Sequence, residues 1–365
     1  MSPLAADLRL PLLEAGERLA HLGSFEWLPG TDRLIWSDNL FRIYGLAPGE
    51  VAPTRELMRR QTHPDDRARV TRAVEKIRRN PNPPPIEYRI VQPSSAVRYL
   101  RSTIVRIDSE DHTATRVVGT VQDITDQRLA NREIAAHVAV SRVLAEWVDV
   151  EHSTPTLLHD LATAMEFACA ALWIPDGDTL VCRFFSACTT ADGIAAFETE
   201  TRALRLKRGS GLPGQVWESR HPINIADLAN EPDFQRRPAA ARAGLRGAAV
   251  FPALAAGEVL AVLEFYYREE FRPTLRLIQS MNAIGDQLGE FFSRRRGDLH
   301  RQPLSTRELQ ILKLASEGKS TPEIAALLTL RATTIKTHLD HAYRKLNASD
   351  RASAVATAIR WGLID

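Results

Sequence analysis

The stretch TTIKTHLDHAYRKL, Thr333 to Leu346, narrows the possible folds more than any other part of the chain. Ile335, Leu339, Ala342 and Leu346 recur at spacings of four, three and four, so a helix gathers them on one apolar stripe. The opposite surface collects Lys336, Thr337, Asp340, His341, Arg344 and Lys345. The spacing therefore predicts a helix with a dry back and a wet, mostly cationic front.

The residues before it supply a frame for that helix. In LSTRELQILKLASEG, Ser305 stands three residues ahead of Glu308, the spacing at which the two side chains satisfy free amides at a helix start. Gly318 ends this helix. Thr321 is the expected cap of a second one, TPEIAALL, with Pro322 at its first position and Ile324, Leu327 and Leu328 on its apolar side. After the short turn TLRA comes the Thr333 helix. Two helices joined by a tight turn, the second with a basic outer face, make a helix-turn-helix.

LSTREL, LKLASEGKSTPEIAALL, TTIKTHL, YRKLN and ASDRASAVATAIRWGLI, in this order, resemble the LuxR-type DNA-binding domain. Lys336, Thr337 and Asp340, on the early exposed turns, are the expected base readers in the major groove of double-stranded DNA. Lys319, Thr321, Arg331, Thr333, Thr334, Arg344 and Lys345 are the candidates for phosphate contacts. The resemblance further implies a dimer patch of Val355 and Ile359 on a fourth helix, Asp350 to Trp361, with Leu363 just beyond it, addressing two half-sites as a homodimer. Asp340 departs from a position that is often basic or polar in the family. An acid there accepts from cytosine N4 or repels phosphate.

Charge supports this placement. Residues 300 to 365 hold ten Lys/Arg against six Asp/Glu, a net +4, whereas the rest of the chain holds 37 against 39, a net −2. Positive charge is concentrated where phosphate attraction requires it. Only Cys169, Cys182 and Cys188 occur, an odd number that argues for a reducing compartment rather than a disulfide framework. The N-terminus has acids throughout and no basic flank before an apolar core, unlike an export signal. The most apolar stretch, Ala248 to Phe265, is broken by Pro252, Gly257, Glu258 and Glu264, so no membrane span is expected and the expected location is cytoplasmic.

Residues 23–126 read as two short strands, several short helices and three longer strands. GSFEWLPG and DRLIWS form a hairpin around a Pro-Gly turn, with Asp38 as cap of the helix DNLFRIYGL and Thr62 and Pro64 at the start of another. GSFEW, IWSDNLFRIYGL, THPDD, EYRIVQPSSAVRYLRS and the closing VGTVQDITDQR resemble a PAS sensor domain, which implies a five-stranded sheet curled around a small pocket. Trp27, Trp36, Phe41, Tyr44, His63 and Tyr88 are its pocket candidates, although aromatic residues must fill such a core in any case. His63 within THPDD reads as a helix cap rather than a haem ligand. Residues 1 to 168 contain no cysteine, which excludes a covalent flavin photocycle there and leaves noncovalent flavin open.

Residues 149–275 form a second α/β pattern. LPGQVWESRHPINIADL and AVFPALAAGEVLAVLEFY resemble a GAF domain, with Trp173, Phe184 and Trp217 as pocket candidates. Gly209 to Gly214 spells G-x-G-x-x-G, but Pro213 removes an amide from the loop that would cradle a pyrophosphate, so these glycines read as structural. Two helices connect the segments. In the first, 127–148, Ile134, Val138, Ser141, Ala145 and Val148 form a coiled-coil-like seam suited to a second protomer or a neighbour. The second, 276–298, is expected to stop at Gly297 and to lead through the linker HRQP to the domain at 299–365.

The expected architecture is multidomain α+β: an N-terminal helix (1–22), a PAS-like antiparallel sheet, a GAF-like α/β domain with an antiparallel sheet, and an all-α four-helix domain. The expected function is ligand-modulated, sequence-specific DNA binding without a receiver domain. No cofactor or metal is assigned. Kinase or cyclase activity, which PAS and GAF modules often precede, is not expected, because the residues after 297 are taken up by the helical domain.

Overall fold

The computed structural model of the protein describes residues 9–29, 33–77, 80–108, 115–190, 192–268, 274–299, 304–346, 348–360 and 363–364. Two compact units are present, Met1–Ile134 and Ala135–Asp365. The linker HRQP (300–303) and part of the Pro29-Gly30 turn lie outside the described residues.

The first unit runs α1 (Arg9–Leu19), β1 (Leu22–Leu28), β2 (Arg33–Trp36), α2 (Asp38–Ile43), α3 (Arg55–Gln61), a 3-10 turn (Pro64–Asp66), α4 (Arg67–Lys76), β3 (Ile86–Val91), β4 (Val97–Asp108) and β5 (Thr115–Asp123). All pairings are antiparallel, in the order β2-β1-β5-β4-β3, with Phe25 opposite both Trp36 and Gly119. One face of the sheet buries Trp36, Tyr88, Ile90, Leu100 and Val121 against Leu40, Phe41 and Tyr44 of α2 and its C-terminal end. Ser37, not Asp38, caps α2, and its hydroxyl accepts from the Ser24 amide at 3.0 Å instead of from its own helix. His63 caps the 3-10 turn, its Nδ1 accepting from the Asp65 amide at 3.4 Å. Next to it, Asp66 accepts from the Arg89 amide at 2.8 Å, from Arg89 Nε at 2.9 Å and from Arg69 at 3.0 Å, which ties the turn to β3. Burial pushes this carboxyl up, but the arginines outweigh it and hold it well below the usual carboxylate range.

Helix α5 (Thr125–Ala145) continues past the unit boundary. The second unit then runs α6 (Val150–Ala164), β6 (Cys169–Asp176), β7 (Thr179–Ala187), α7 (Ile194–Ala203), β8 (Arg205–Lys207), α8 (Gly211–Ser219), β9 (Ile223–Ile225), α9 (Arg237–Arg242), β10 (Gly247–Ala255), β11 (Glu258–Tyr267), α10 (Leu275–Ser293) and α11 (Arg296–Leu299). Its antiparallel sheet has the order β8-β7-β6-β11-β10-β9. Both faces are covered. Ala136, Val140 and Val143 of α5, Leu157 and Leu161 of α6, and Leu277, Ile284 and Leu288 of α10 pack on one; α7, α8 and α9 cover the other. Gly285 and Gly289 let α10 lie directly on the carbonyls of Pro252 and Leu254, where a Cβ would collide.

One expectation about the connecting helices is narrowed here, and the other changes. The seam of Ile134, Val138, Ser141, Ala145 and Val148 is solvent-exposed in the single chain, and the opposite face of α5 is the one that packs on the sheet domain. Helix α10 stops at Ser293, and Gly297 lies inside the short α11 rather than ending the long helix. Alongside α10, His137 Nε2 lies 3.0 Å from Ser280 Oγ, and Trp147 meets Phe291 at 4.9 Å between ring centroids.

Four helices close the chain: α12 (Thr306–Ser316), α13 (Thr321–Leu328), α14 (Ala332–Lys345) and α15 (Arg351–Arg360). They share a core of Ile311, Leu312, Ile324, Ile335, Leu339, Ala342, Leu346, Ala354 and Ala358. Each large member contributes about 1.5–3 kcal/mol by leaving water.

Candidate nucleic-acid interface and sensor interiors

The four-residue periodicity of α14 places its two faces as the sequence requires. Ile335, Leu339, Ala342 and Leu346 are 0, 5, 0 and 4 % exposed, whereas Lys336, Thr337, Asp340, His341 and Arg344 face solvent. Lys336, Asp340 and Arg344 thus share a ridge, flanked by Thr333 and Thr337. The Thr337 hydroxyl donates to the Thr333 carbonyl at 3.1 Å, which fixes its rotamer and leaves its lone pairs outward. The turn before α14 is made by Thr329 in the left-handed region (φ 53°), and exposed Arg331 begins the helix without a side-chain cap, so the amides of the first turn keep no side-chain partner there.

The helix is held from behind by charge as well as by packing. Glu308, 3 % exposed, accepts from the Ser305 amide at 2.6 Å and from Lys345 Nζ at 2.7 Å. Burial pushes the Glu308 carboxyl up; Lys345 and the Ser305 cap outweigh it and hold it below its ordinary value. Lys345 is therefore committed to the first helix, unlike the other phosphate candidates. Arg351 donates to the carbonyls of Ala315 and Lys319 and clamps α15 to the end of α12.

Other positions shift in detail. Ser320, not Thr321, forms the capping box with Glu323, so half-buried Thr321 is the first helical residue. Lys319 is half-buried beside it, as is Thr334 in the first turn of α14. Leu327 is 59 % exposed rather than part of the apolar side of α13. Val355 in the fourth helix and Leu363 beyond its end pack partly on their own core, and Ile359, 49 % exposed, is the member that projects.

In the first unit four of the pocket candidates, Trp36, Phe41, Tyr44 and Tyr88, form one packed cluster rather than an open chamber. Trp36 meets Phe41 at 5.2 Å and Tyr44 at 4.7 Å between ring centroids. The hydroxyls of Tyr44 and Tyr88 lie 3.2 Å apart, and Gln61 Nε2 donates to the Tyr44 carbonyl at 3.0 Å. Burial pushes Tyr88 up to about 12. Two buried atoms of this cluster, Trp36 Nε1 and Gln61 Oε1, have no hydrogen-bond partner among the described residues. Trp27 lies at the rim under the Arg55 guanidinium, 5.0 Å away, and His63 is spent on its cap.

In the second unit the three candidates do not share a face. Trp173 and Trp217 belong to the layer under α7–α9, and Phe184 belongs to the opposite layer. The cause is an irregularity between Leu172 and Trp173, where Leu172 pairs with Phe184 but Trp173 pairs with Cys182. The extra residue, Arg183, reverses the alternation of β7. The glycine-rich turn is structural: Gly209 (φ 76°) and Gly211 (φ 61°) need left-handed backbone, the Gly209 amide donates to the Gly214 carbonyl at 2.9 Å, and Gly214 abuts the Lys207 carbonyl.

The arrangement that sequence reading missed lies beside Trp173. Glu264, wholly buried, accepts from Trp173 Nε1 at 2.8 Å and from Arg236 Nη2 at 2.8 Å. The available signal was an acid inside the apolar run of β11.

Among the described residues no three His, Cys, Asp or Glu side chains gather to hold a metal ion, and no described helix is long and apolar enough to cross a membrane. Residues 302–358 match the family of bacterial regulatory proteins, luxR family; residues 33–121 match the PAS fold; residues 149–293 match the GAF domain. The probable transcriptional regulatory protein NarL of Mycobacterium tuberculosis (strain ATCC 25618 / H37Rv) is 40 % identical over 90 residues, 25 % of this chain and 41 % of that protein. The HTH-type quorum sensing-dependent transcriptional regulator VjbR of Brucella abortus (strain 2308) is 47 % identical over 62 residues, 17 % of this chain and 24 % of that protein. The chain thus spans less than half the length of these curated relatives. The solved GAF domain of a phosphoenolpyruvate-protein phosphotransferase from Coxiella burnetii is 20 % identical, with a TM-score of 0.40, covering 46 % of this chain and 96 % of that one.

Proposed function

We propose that this chain, in which a PAS fold and a GAF domain precede a luxR-family helix-turn-helix, is a sequence-specific DNA-binding transcriptional regulator. The observation that carries the reading is α14, with its apolar face sealed into the helical core and Lys336, Thr337 and Asp340 presented together to solvent. That ridge enters a major groove and reads base edges; Lys319, Arg331, Thr333, Thr334 and Arg344 secure the backbone, with Thr321 beside them. Exposed Ile359 and the exposed seam of α5 are the faces a second copy covers in a homodimer. Control comes from small molecules taken up by the PAS or GAF interior. The two unpartnered buried atoms of the PAS cluster, Trp36 Nε1 and Gln61 Oε1, support this, since a buried donor or acceptor left alone costs about 1–3 kcal/mol and a bound polar group recovers it.

The chain acts by binding, in the cytoplasm, rather than by catalysis. Its three thiols are poor nucleophiles: burial pushes Cys182 up to about 12, Cys169 well above its ordinary value, and Cys188 upward as well, so all three stay protonated at neutral pH.

Selection of operator DNA with the full chain, followed by Lys336→Ala, tests the reading. The expected result is a loss of about 5- to 100-fold in affinity for the selected site at unchanged thermal stability. Unchanged affinity overturns the assignment of the base-reading ridge.

A further inference from the structure

A carboxylate in the middle of a dry layer requires an explanation, and the surroundings of Glu264 supply one. It projects from the central strand β11 toward α7, wholly buried, with its counter-ion Arg236 only 3 % exposed. The guanidinium carbon of Arg236 lies 5.5 Å from the Trp173 ring centroid, 5.2 Å from Phe197, 5.2 Å from Phe234 and 5.6 Å from Tyr266. One guanidinium nitrogen reaches Glu264 at 2.8 Å and the other reaches Thr201 Oγ1 at 2.9 Å. Four aromatic faces, a carboxylate and a hydroxyl acceptor form a complete receptor for a flat organic cation.

The cation now in it belongs to the chain. Arg236 ends the irregular segment 226–236 between β9 and α9, whose buried side chains are Leu228, Phe234 and Arg236 itself, while Asp227, Ala229, Asn230, Pro232, Asp233 and Gln235 face solvent. Apolar residues of similar volume would hold such a segment as well as a buried ion pair does, so fold stability alone does not account for the pair. The Tyr266 hydroxyl lies buried beside Glu264 in the same layer.

We propose that the GAF interior is a binding site for a small molecule bearing a guanidinium group, and that Arg236 is its intramolecular stand-in. A free guanidinium ligand takes the place of Arg236 on Glu264 and between the rings, and segment 226–236, having lost its deepest anchor, swings outward. This deepens the sensor half of the proposed function and rests on it; the DNA-reading half is independent.

The test uses the full chain and agmatine as the probe, with hydrogen exchange of residues 226–236 as readout. Saturable acceleration of exchange in this segment by agmatine, at least five-fold and without effect from the neutral analogue methylurea, is the expected result. No acceleration at millimolar agmatine overturns the proposal. Arg236→Ala opens the receptor: the variant is expected to lose thermal stability and to regain it with methylguanidine but not with methylurea. If the variant does not fold, the exchange measurement on the unaltered chain decides alone. Equal rescue by methylurea shows a mere cavity and also overturns the proposal. Because no readout involves DNA, a failure here leaves the Lys336 experiment standing, and a failure there leaves this one.

Discussion

The PAS and GAF interiors handle buried polarity in opposite ways. In the PAS core the polar atoms belong to neutral side chains, and Trp36 Nε1 and Gln61 Oε1 are left without partners. In the GAF core the central polar groups are a charged pair, and Arg236 and Glu264 are bonded to each other and to Thr201 and Trp173. A core with unpartnered neutral groups is poised to gain from an added ligand. A core with a satisfied ion pair already holds one and gains only by exchange.

The largest effect that sharpens this contrast is expected from removing one member of the GAF pair. Glu264→Ala leaves a guanidinium buried without its anion and should cost about 3–5 kcal/mol, whereas the double change Glu264→Leu with Arg236→Met should recover most of it. Denaturant midpoints of the GAF core, followed by hydrogen exchange, check both. A double variant as unstable as the single one would break the contrast. A smaller effect is expected at the edge of the PAS core, where Asp66→Asn removes the anion shared by Arg89 and Arg69 and should cost about 1.5–3 kcal/mol. The Asp66 carboxyl is held down in the folded state. Its contribution is therefore complete above its unfolded pKa of about 4 and declines as the pH falls below that, so acid titration should weaken the PAS unit of the unaltered chain but hardly affect Asp66→Asn. The smallest effect is expected from Tyr44→Phe, about 1 kcal/mol, the low end for leaving the buried neutral Tyr88 hydroxyl without this partner. Thermal melts resolve it, and a loss above 3 kcal/mol would show that the PAS core depends on its hydroxyls as heavily as the GAF core depends on its charges.

Periodicity and cap chemistry are local, and what depended on them was legible. The stripe of α14 and the Ser305–Glu308 box follow from spacing alone. Cap positions slipped by one residue at Ser37 and Ser320 because neighbouring serine, threonine and aspartate compete for the same role. Phe184 moved to the other layer because one extra residue in β7 inverts every later side chain, and a bulge leaves no mark in composition. The partnership of Arg236 with Glu264 joins residues 28 apart through the fold, so neither residue announces it. Lys345 and Glu308 are a like case, 37 apart.

That last pair alters how tightly the protein should hold a polyanion in salt. Each phosphate neutralised by a cation releases condensed counterions and adds about 0.9 to the slope of log affinity against log salt. On the proposed reading Lys345 would reach a duplex already neutralised by Glu308, and Asp340 on the same helix brings charge of the opposite sign. If the helix binds DNA as proposed, it would displace fewer ions than its count of lysines and arginines suggests, and more of the binding energy would come from contacts that salt does not weaken.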